Sequence, residues 1–594
     1  MLVAVAGLEV VNLRGAAREL AIAQARVRDA AATLGTNPAA WTPERITLAS
    51  SLASDAAQHS RGGIRQLGYD PLLHATLPIP WLGAQARATV DLADAVSAAS
   101  TALGDEISVA TAYSTLRGSN LPASQALLKL LEAGAGPLED ADQVLQRSVM
   151  ALDSDSRGPL VGPLAQQVNR ALATIRPRLG QVHAAATAAR LAPSVLGSAT
   201  PARYLVLFAN PSELRPAGGY VGAAGSLEVR KGTPTLKFRG TETFDPALVH
   251  QYPIPYPLDR YLVFTDDSLG LGDAGWDPDF PTTARLSEDM FTRATGDQVV
   301  GTIQVDPYAV AALLRLTGPV EVPGYGSFDA ANFFARLNFI VNAGEGPGTG
   351  KAALAPITEA VVRSVLAQPV ENFPRLLSAI NDQLRGRHVL LYLHAPDAAR
   401  VASAGTADGA ILNPKGDYLM VDDANVGATK GDFYVKRSIE FKAEIAPGRA
   451  QRHRVVLPYD MPRPVDDADE RLNPARSDEG AYHDYLRVYL PDNATVTGIS
   501  YVMDGRRADG KLDVVGFAHG HEFVGAFARV PRGHTLQLTL DYSLPATGAR
   551  DYHLYVQKQA GVLSTPLSVD VSYPGGRYAR SQPLVADVAA GVRW

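Results

Sequence analysis

One short polar turn carries the residues of this chain that are best suited to bind a ligand. Asn210, Glu213 and Arg215 lie close together in it, and Gly218 and Gly219 follow. An arginine guanidinium presents a planar fork of N–H donors that matches the oxygens of phosphate or carboxylate groups. The turn is therefore predicted to be a ligand site in which Glu213 and Arg215 carry the recognition, but these residue types do not identify the ligand.

A second polar stretch supplies a tryptophan, two carboxylates and another arginine: Trp276, Asp277, Asp279 and Arg285. Carboxylate oxygens bind Mg²⁺ and Ca²⁺, so Asp277 and Asp279 are the candidate metal ligands, and Trp276 can stack on a sugar ring. With Asp266, Asp267 and Asp273 these residues form an acidic run, but its spacing does not match a calcium-binding loop. A solvated loop that caps a helix is the favoured interpretation.

Two glycine patterns resemble phosphate-binding loops. In the stretch 344–351 the resemblance is incomplete, because Ala352 stands where a Ser or Thr would bind magnesium. Gly219, Gly222 and Gly225 recur at every third position, but the residues after them predict a hairpin and not a helix whose N-terminus could hold phosphate. The first pattern predicts a flexible loop, and the second predicts close packing of backbones.

A histidine pair is a weaker candidate for a metal site. His519 and His521 stand two apart on a predicted strand, so their side chains would share a face. No third ligand accompanies them in the sequence, and zinc sites in proteins need at least three. The pair is therefore predicted to lie on the surface.

The turn that carries Arg215 directly follows a strand that is predicted to be buried. Tyr204 to Ala209 is an apolar run without alternation, which is typical of a strand buried on both faces. Groups just past the end of such a strand are expected to be held rigidly while remaining open to solvent.

Farther along, residues 298–322 predict a strand, a helix and a second strand. Asp306 can cap the helix, Pro307 fits its first position and Gly318 can end it. This unit is predicted to be a right-handed parallel crossover.

The pattern of the chain changes along its length, and the predicted class is multidomain α+β. The parts are an apolar tail over residues 1–12, an α-helical bundle or stalk over 13–198, a three-layer-like α/β core over 199–412 and an antiparallel β-sandwich over 413–594. In the sandwich the segment 462–480 is rich in Asp, Glu, Arg and Pro, and it predicts a long exposed loop.

The helical part shows regular spacing and recognisable helix ends. Heptad spacing of leucine and valine begins at Leu13, and Thr42 followed by Pro43 and Glu44 predicts a capped helix start. Four prolines are expected to divide the pattern into shorter helices: Pro78, Pro80, Pro122 and Pro137. This part is interpreted mainly as core packing, with a spacer or partner-binding surface as the functional alternative.

Composition excludes several classes of function. The 594 residues include no cysteine, which rules out disulfides, thiolate metal sites, iron–sulfur clusters and a cysteine nucleophile. The net charge of -6 gives no basic excess that would attract nucleic acid, so nucleic-acid binding is not expected. The apolar start of the chain is shorter than the about 20 residues that span a bilayer, so it is either the start of a buried helix or the outer end of a membrane anchor.

Several motifs resemble one family, the domain-of-unknown-function family 4012 of bacterial envelope proteins. The motifs are 210–222, 275–284 and 305–320, continued by 425–432 and 557–561. The resemblance covers most of the chain and implies a cell-envelope protein outside the membrane, held by a membrane-spanning helix of which residues 1–12 are a candidate remnant. Gly272 and Gly275 stand where the family often has Arg and Asn, so a function that needs those side chains is doubtful here.

The core is also distantly similar in layout to the LytR-CpsA-Psr phosphotransferases, which move lipid-pyrophosphate-linked glycopolymers onto peptidoglycan. That similarity rests on the unit 298–322. It implies that Arg215 and Arg285 would hold phosphate while Asp277 or Asp279 positions Mg²⁺. A full copy of that family's Arg and Asp motifs is not present.

Three hypotheses follow. The first is an envelope protein that binds or handles a surface glycopolymer or its polyprenyl-linked precursor, with Asn210, Glu213 and Arg215 orienting the ligand and Trp276 closing the site. The second is the phosphotransferase reaction, the one case that requires a cofactor, Mg²⁺. The third is a non-enzymatic structural or assembly protein in which the central motif serves folding alone.

Overall fold

The computed structural model describes residues 2–35, 40–119, 121, 123–262, 268–343, 353–369, 372–464, 480–508 and 510–594. The chain forms two compact units. The first comprises Met1–Ala202, Val229–Thr233 and Leu366–Pro374, and the second comprises Arg203–Glu228, Pro234–Val365 and Arg375–Trp594. The predicted fold class is confirmed: helices come first, α/β structure follows, and the C-terminal part is rich in strands.

The first unit is built from long helices. They are α1 (Leu2–Leu34), α2 (Pro43–Gly68), α3 (Pro71–Thr76), α4 (Pro80–Arg117), α5 (Ala123–Ser156) and α6 (Gly162–Val195). The predicted cap is confirmed, because the Thr42 side chain accepts a hydrogen bond from the Arg45 amide at the start of α2.

The prolines of this unit act in two ways. Pro80 begins α4, and Pro78 lies in the turn before it, as predicted. The prediction for Pro137 is wrong, since it lies inside α5. A proline removes one backbone hydrogen bond from a helix, and here the neighbouring turn is held by buried Leu138 and Ala141. Pro122 falls outside the described residues.

The second unit contains an α/β core. Its strands are β1 (Ala202–Asn210), β2 (Tyr220–Arg230), β3 (Thr233–Gly240), β4 (Gly301–Val305), β5 (Val320–Val322), β6 (Gly326–Phe328) and β7 (Val389–Leu393). Its helices are α7 (Phe280–Thr295), α8 (Pro307–Thr317), α9 (Phe333–Ala343), α10 (Leu354–Leu366), α11 (Phe373–Arg385) and α12 (Pro396–Ala404).

The main sheet of the core has the order β3-β2-β1-β4-β7, and β1 pairs parallel with β4. Leu205 and Leu207 pack on one face with Met290 of α7, whereas Phe208 packs on the other with Leu314 of α8. The prediction that β1 is buried on both faces is therefore confirmed, and its end points at the turn that carries Arg215.

The unit at 298–322 folds differently from the prediction. Asp306 caps α8 by accepting from the Ala309 amide, as expected. However, β5 pairs antiparallel with β6 in a separate two-stranded sheet, and β7 takes the place beside β4. The parallel crossover from β4 to β5 is thus wrong. Local sequence determines a helix cap, but the partner of a short strand depends on segments far along the chain.

The C-terminal part is a two-sheet sandwich. Its strands are β8 (Asp417–Asp422), β9 (Lys436–Arg437), β10 (Ile439–Glu444), β11 (Gln451–Met461), β12 (Tyr482–Leu490), β13 (Thr495–Met503), β14 (Arg506–Ala508), β15 (Val514–Ala518), β16 (His521–Val530), β17 (His534–Leu544), β18 (Asp551–Gln557), β19 (Thr565–Tyr573), β20 (Gly576–Leu584) and β21 (Val588–Arg593). One sheet runs β14-β13-β17-β11-β10-β19-β20 with β9 beside β11, and the other runs β15-β16-β12-β8-β18-β21. The pairings β8·β18 and β10·β19 are parallel, which the antiparallel prediction did not anticipate.

Some predictions concern residues that lie outside this description. They are most of the loop at 462–480, the glycine-rich stretch at 344–351, and Asp266 and Asp267. Among the described helices, none combines the length and apolarity that crossing a bilayer requires.

Candidate functional site

The turn after β1 is closed by its own polar side chains. The Asn210 Oδ1 atom accepts from the amide and the hydroxyl of Ser212 at 3.0 and 2.7 Å, and the Asn210 amide nitrogen donates to Asn338 Oδ1 at 3.1 Å. The Tyr220 amide donates back to the Glu213 carbonyl at 2.8 Å. Asn210 is thus occupied in shaping the turn.

The glycines of the turn permit close contacts between backbones. Gly218 and Gly219 have φ of 118° and 137°, which side chains rarely adopt. A Cβ on Gly219 would lie 2.4 Å from the Asn210 carbonyl oxygen, and one on Gly225 would lie 1.8 Å from that of Lys237. The prediction of close packing is confirmed at Gly219 and Gly225, whereas Gly222 has only an ordinary contact, 3.8 Å from Leu354.

Arg215 lies inside the protein, with 0 % of its side chain exposed. Its Nε and Nη2 atoms donate to Asp273 Oδ1 at 3.1 and 2.9 Å, and Nη2 also donates to Glu213 Oε1 at 3.0 Å. Its Nη1 atom donates to the carbonyls of Leu214 and Asn425 at 3.3 and 2.8 Å. The expectation that this guanidinium is open to solvent is wrong, because acceptors of the protein itself surround it.

An aromatic ring and a second cation complete the surroundings of Arg215. The Trp276 ring is buried and lies 4.7 Å from the guanidinium carbon. Lys430 donates to Glu213 Oε2 from the opposite side. Glu213 thus joins two cations, and its carboxylate is also buried.

These charges shift the pKa values of the group. Burial alone would raise the pKa of Glu213, but Lys430 and Arg215 outweigh it and lower the pKa to about 2. Burial would lower the pKa of Arg215, but Asp273 and Glu213 outweigh it and raise that pKa. Both side chains are therefore charged at neutral pH.

The cluster continues into the sandwich through Asp432. Its Oδ2 atom accepts from the Leu214 amide at 3.0 Å and from the Asn425 side chain at 2.8 Å. Its Oδ1 atom accepts from Arg437 Nη2 at 2.6 Å and from the Tyr482 hydroxyl at 2.8 Å. One carboxylate therefore ties the turn after β1 to the loop 425–432 and to strand β12.

Asp423 extends the same network on the far side of Arg437. It accepts from Arg437 Nη1 at 2.7 Å and from the Tyr459 hydroxyl at 2.6 Å. Its neighbour Asp484 is buried, and burial followed by repulsion from Asp423 raises the pKa of Asp484 well above its ordinary value.

A third motif, 557–561, packs against the cluster beside Asp423. Gln559 exchanges two hydrogen bonds with the backbone of Asp423, at 3.1 and 2.7 Å. A Cβ on Gly561 would lie 2.1 Å from the Gly218 carbonyl oxygen, so these two backbones touch. Burial lowers the pKa of Lys558 to about 7, and its amine donates to the Gly386 and Gln559 carbonyls at 2.7 and 3.1 Å.

The candidate carboxylates Asp277 and Asp279 lie outside the cluster, at the start of α7. Asp279 caps α7 by accepting from the Thr282 amide at 3.2 Å, and its other oxygen accepts from the Ile411 amide at 3.1 Å. Asp277 accepts from the Asp279 amide at 2.8 Å and pairs with His519 at 2.9 Å. The interpretation as a capping loop is supported. Among the described residues, no group of three or more His, Cys, Asp or Glu could hold a metal ion.

Arg285 and the histidine pair stand apart from the cluster. Arg285 is exposed on α7, where its guanidinium lies 5.7 Å from the Tyr392 ring. The prediction of a surface pair fails for His521, which is buried between the Leu490 and Leu412 carbonyls and stacks on Tyr418. His519 lies in the turn before β16, so the two rings do not share a strand face.

Several residues of the cluster were not among the sequence candidates: Asp273, Asp423, Asn425, Lys430, Asp432, Arg437 and Asp484. The signal was present, since the motifs 425–432 and 557–561 belong to the family resemblance. However, segments more than 300 residues apart, such as those of Gly218 and Gly561, had to pack together before those motifs could meet, and local patterns do not specify such packing.

Removing the Glu213 charge should change how stability depends on acid. A carboxyl whose pKa falls from 4.5 to about 2 on folding adds stability above pH 4.5 that is lost as the pH falls towards 2. Between pH 5 and pH 2 we expect wild type to lose about 3 kcal/mol more unfolding free energy than Glu213→Gln does, measured by urea unfolding. Glu359→Gln, at an exposed ion pair, is the control and should parallel wild type. Equal slopes for wild type and Glu213→Gln would contradict the assignment.

Comparison with known proteins gives one family match. Residues 200–339 match the model of the family described as "Protein of unknown function (DUF4012)". The resemblance seen in the motifs is thereby confirmed over this range, and the similarity to LytR-CpsA-Psr enzymes stays a prediction. No curated protein matches the chain.

Similar solved structures include a candidate nutrient binding protein of Legionella pneumophila subsp. pneumophila strain Philadelphia 1, at 9% identity and TM-score 0.19 over 26% of this chain and 54% of that chain. Another is native leukotriene A4 hydrolase of Saccharomyces cerevisiae, at 11% identity and TM-score 0.17 over 27% of this chain and 29% of that chain. The chain thus spans about half or less of each of these two proteins, and neither likeness bears on its fold or function.

Proposed function

We propose that this chain, whose residues 200–339 carry the DUF4012 match, is a non-catalytic structural or assembly protein of the cell envelope. In this proposal the motif residues form an internal lock, by which we mean the cluster of Glu213, Arg215, Asp273, Lys430 and Asp432. The lock joins the α/β core to the sandwich inside the second unit. The carrying observation is that every guanidinium nitrogen of Arg215 donates to an acceptor of the protein itself.

The chemistry of the lock is unfavourable for phosphate binding. A pyrophosphate would bring negative charge beside Glu213 and Asp273, which already balance the guanidinium. It would also have to replace hydrogen bonds that Arg215 makes to buried carbonyls, and a buried acceptor left without a donor costs about 1–3 kcal/mol. Both the glycopolymer-orienting role and the phosphotransferase role of Arg215 need a guanidinium that a ligand can reach.

The envelope part of the proposal is supported by the family resemblance. Glycopolymer binding remains a second candidate at a different place, because a cleft of about 590 Å³ opens between β7 and α12. Tyr392, Arg400 and Asp408 line it, and Arg285 lies beside the Tyr392 ring. An aromatic ring with charged neighbours at an open cleft suits a sugar chain better than the buried lock does.

Native-state hydrogen exchange tests the lock. The Leu214 amide donates to Asp432, and the Asn425 amide donates to the Leu214 carbonyl. We expect both amides to exchange only through global unfolding of the second unit, at the same free energy as core amides of β12. Fast exchange at 211–219 with protected sandwich strands would identify a mobile capture loop and overturn the proposal.

A transfer assay supplies the enzymatic arm of this test. Purified protein with Mg²⁺ and a labelled undecaprenyl-pyrophosphate glycan should release no lipid pyrophosphate. Release would establish the phosphotransferase instead. Binding without release that is lost in Tyr392→Ala, and kept in the exposed control Arg363→Ala, would establish the cleft as a glycopolymer site.

A further inference from the structure

Strand β15 forms one edge of the sandwich sheet β15-β16-β12-β8-β18-β21, and in the part of the chain that the structure describes no strand pairs with its outer side. It reads Val-Val-Gly-Phe-Ala over 514–518, without a charged residue or a proline. An edge strand presents unpaired N–H and C=O groups, and proteins usually protect such an edge with charges or proline. Strand β15 lacks both kinds of protection.

The other edges of the sandwich differ from β15. At the two ends of the other sheet, β14 carries Arg506 and Arg507, and β20 carries two arginines and Pro583. The far edge of the β15 sheet is β21, which exposes the small residues Ala589 and Gly591. Among the described residues of these four edges, large exposed apolar side chains therefore occur on β15 alone.

The two exposed apolar side chains of β15 are Val515 and Phe517, at 59% and 62%. They stand two apart, so they project from the same side of the strand. Val515 lies opposite Val524 of β16, which packs in the core between the two sandwich sheets. Opposed residues of an antiparallel pair share a face. Val515 and Phe517 thus continue the apolar face of the sheet beyond the point where the sandwich covers it.

The sequence of β15 is complementary to a second copy of itself. In an antiparallel pair with a two-fold axis at Gly516, Val515 of each copy faces Phe517 of the other. Pairs of an aromatic and a β-branched residue across strands stabilise sheets. An axis perpendicular to the sheet keeps the apolar sides of both copies on the same side of the joined sheet. One strand therefore supplies both members of each matched pair, as a two-fold symmetric interface requires.

The residues that flank the strand fit the same register by charge. Asp513 of one copy would lie nearest His519 of the other, so no two like charges meet. Within its own chain Asp513 accepts from the Tyr261 hydroxyl, and His519 pairs with Asp277 at 2.9 Å. Both flanking side chains are thus already held beside the strand ends.

We propose that β15 pairs with β15 of a second copy of this chain, antiparallel about Gly516, and joins two six-stranded sheets into one. The five residues of each strand pair over a length of about 17 Å. Interfaces that bury less than about 1,200 Å² are weak and transient, so this dimer depends on protein concentration. The pairing goes beyond the proposed function and involves no residue of the lock.

Sedimentation velocity of the full chain over a series of concentrations tests this pairing. Wild type should shift from monomer to dimer as the concentration rises. The double variant Val515→Lys, Phe517→Lys should dimerise at least tenfold more weakly, because lysines would face each other across the axis. Both side chains are exposed, so folding should be retained, which circular dichroism checks. The control is Leu563→Lys, 53% exposed in the loop before β19, which should dimerise like wild type.

Oppositely charged variants distinguish a second copy from any other occupant of the edge. The double variant Val515→Glu, Phe517→Glu should also be monomeric when it is alone, because glutamates would face each other. Mixed with the lysine double variant, it should form a heterodimer, since each lysine would then face a glutamate. Only pairing between two copies of β15 predicts this recovery.

Introduced cysteines report the register. The chain has no cysteine of its own, so any disulfide between chains comes from the introduced residues. An oxidised mixture of Val515→Cys and Phe517→Cys should cross-link the two chains, because opposed residues in an antiparallel pair lie within disulfide reach. Each variant alone should cross-link at least fivefold less, because its cysteines would lie on a diagonal.

Four results would overturn this pairing. They are a wild type that stays monomeric, undiminished dimerisation of the folded lysine variant, a charge-complementary mixture that does not associate, and cysteines at 515 that cross-link best to each other. The first would leave the edge to a strand of a different protein. The last would mean that the two strands run parallel or in another register.

Discussion

Replacing Arg215 with alanine lowers the unfolding free energy of the second unit by about 3–5 kcal/mol, the range for removing one partner of a buried ion pair. The substitution takes the guanidinium away from Glu213, Asp273 and the Asn425 carbonyl in a place that excludes water. Guanidinium chloride unfolding followed by the fluorescence of Trp276, whose ring faces Arg215, measures the loss.

Arg285→Ala provides the comparison for Arg215→Ala. Both arginines lie beside aromatic rings. However, Arg285 is exposed, and its hydrogen bond, 3.0 Å long, goes to the Thr282 hydroxyl in its own helix. Exposed contacts of this kind contribute little, so its loss should stay within about 0.5 kcal/mol. If the two variants proved equally stable, Arg215 would not hold the core to the sandwich, and the lock would have to be abandoned.

Gly219→Ala is expected to be the second most damaging change, at about 2–5 kcal/mol. A non-glycine residue at φ of 137° is strained by about 1–3 kcal/mol. The new Cβ would also meet the Asn210 carbonyl at 2.4 Å, and forcing such a contact apart costs about 1–3 kcal/mol more. Chemical unfolding measures the sum.

Gly222→Ala tests whether the effect is specific to this backbone position. Gly222 belongs to the same three-residue pattern, but its nearest neighbour to a new Cβ is Leu354 Cδ1 at 3.8 Å. Its substitution should change the unfolding free energy by less than about 1 kcal/mol. A similar loss for both glycines would mean that the pattern as a whole matters and that the close approach to Asn210 does not.

Local features of the fold were predictable because their causes are local. The cap at Thr42, the cap at Asp306 and the burial of β1 each depend on residues within one or two turns of chain. The change from helical to alternating patterns likewise located the helical, α/β and strand-rich parts. The position of Pro137 inside α5 was not predictable, because packing around this helix outweighs the tendency of proline to end a helix.

The sequence predicted residues of the candidate site but not that they are buried. Glu213 and Arg215 do meet in one cluster with Trp276, whereas the side chain of Asn210 bonds to Ser212 and Asn338. Their burial could not be foreseen, because the loop that covers them, with Lys430 and Asp432, lies more than 200 residues later. An arginine after a strand looks the same in sequence whether solvent or a second domain stands in front of it.

By itself, then, the sequence determined the class of fold, the absence of cysteine chemistry, and which motif residues belong together with a family of unknown function. Only the tertiary structure decided that the arginine of the central motif faces inward, and that helix α5 continues through Pro137. The physical reason is the same in both cases. Helix caps and strand burial follow from neighbours in the chain, whereas the register of helices and the closure of one sheet on another follow from packing between segments that the chain order does not bring together.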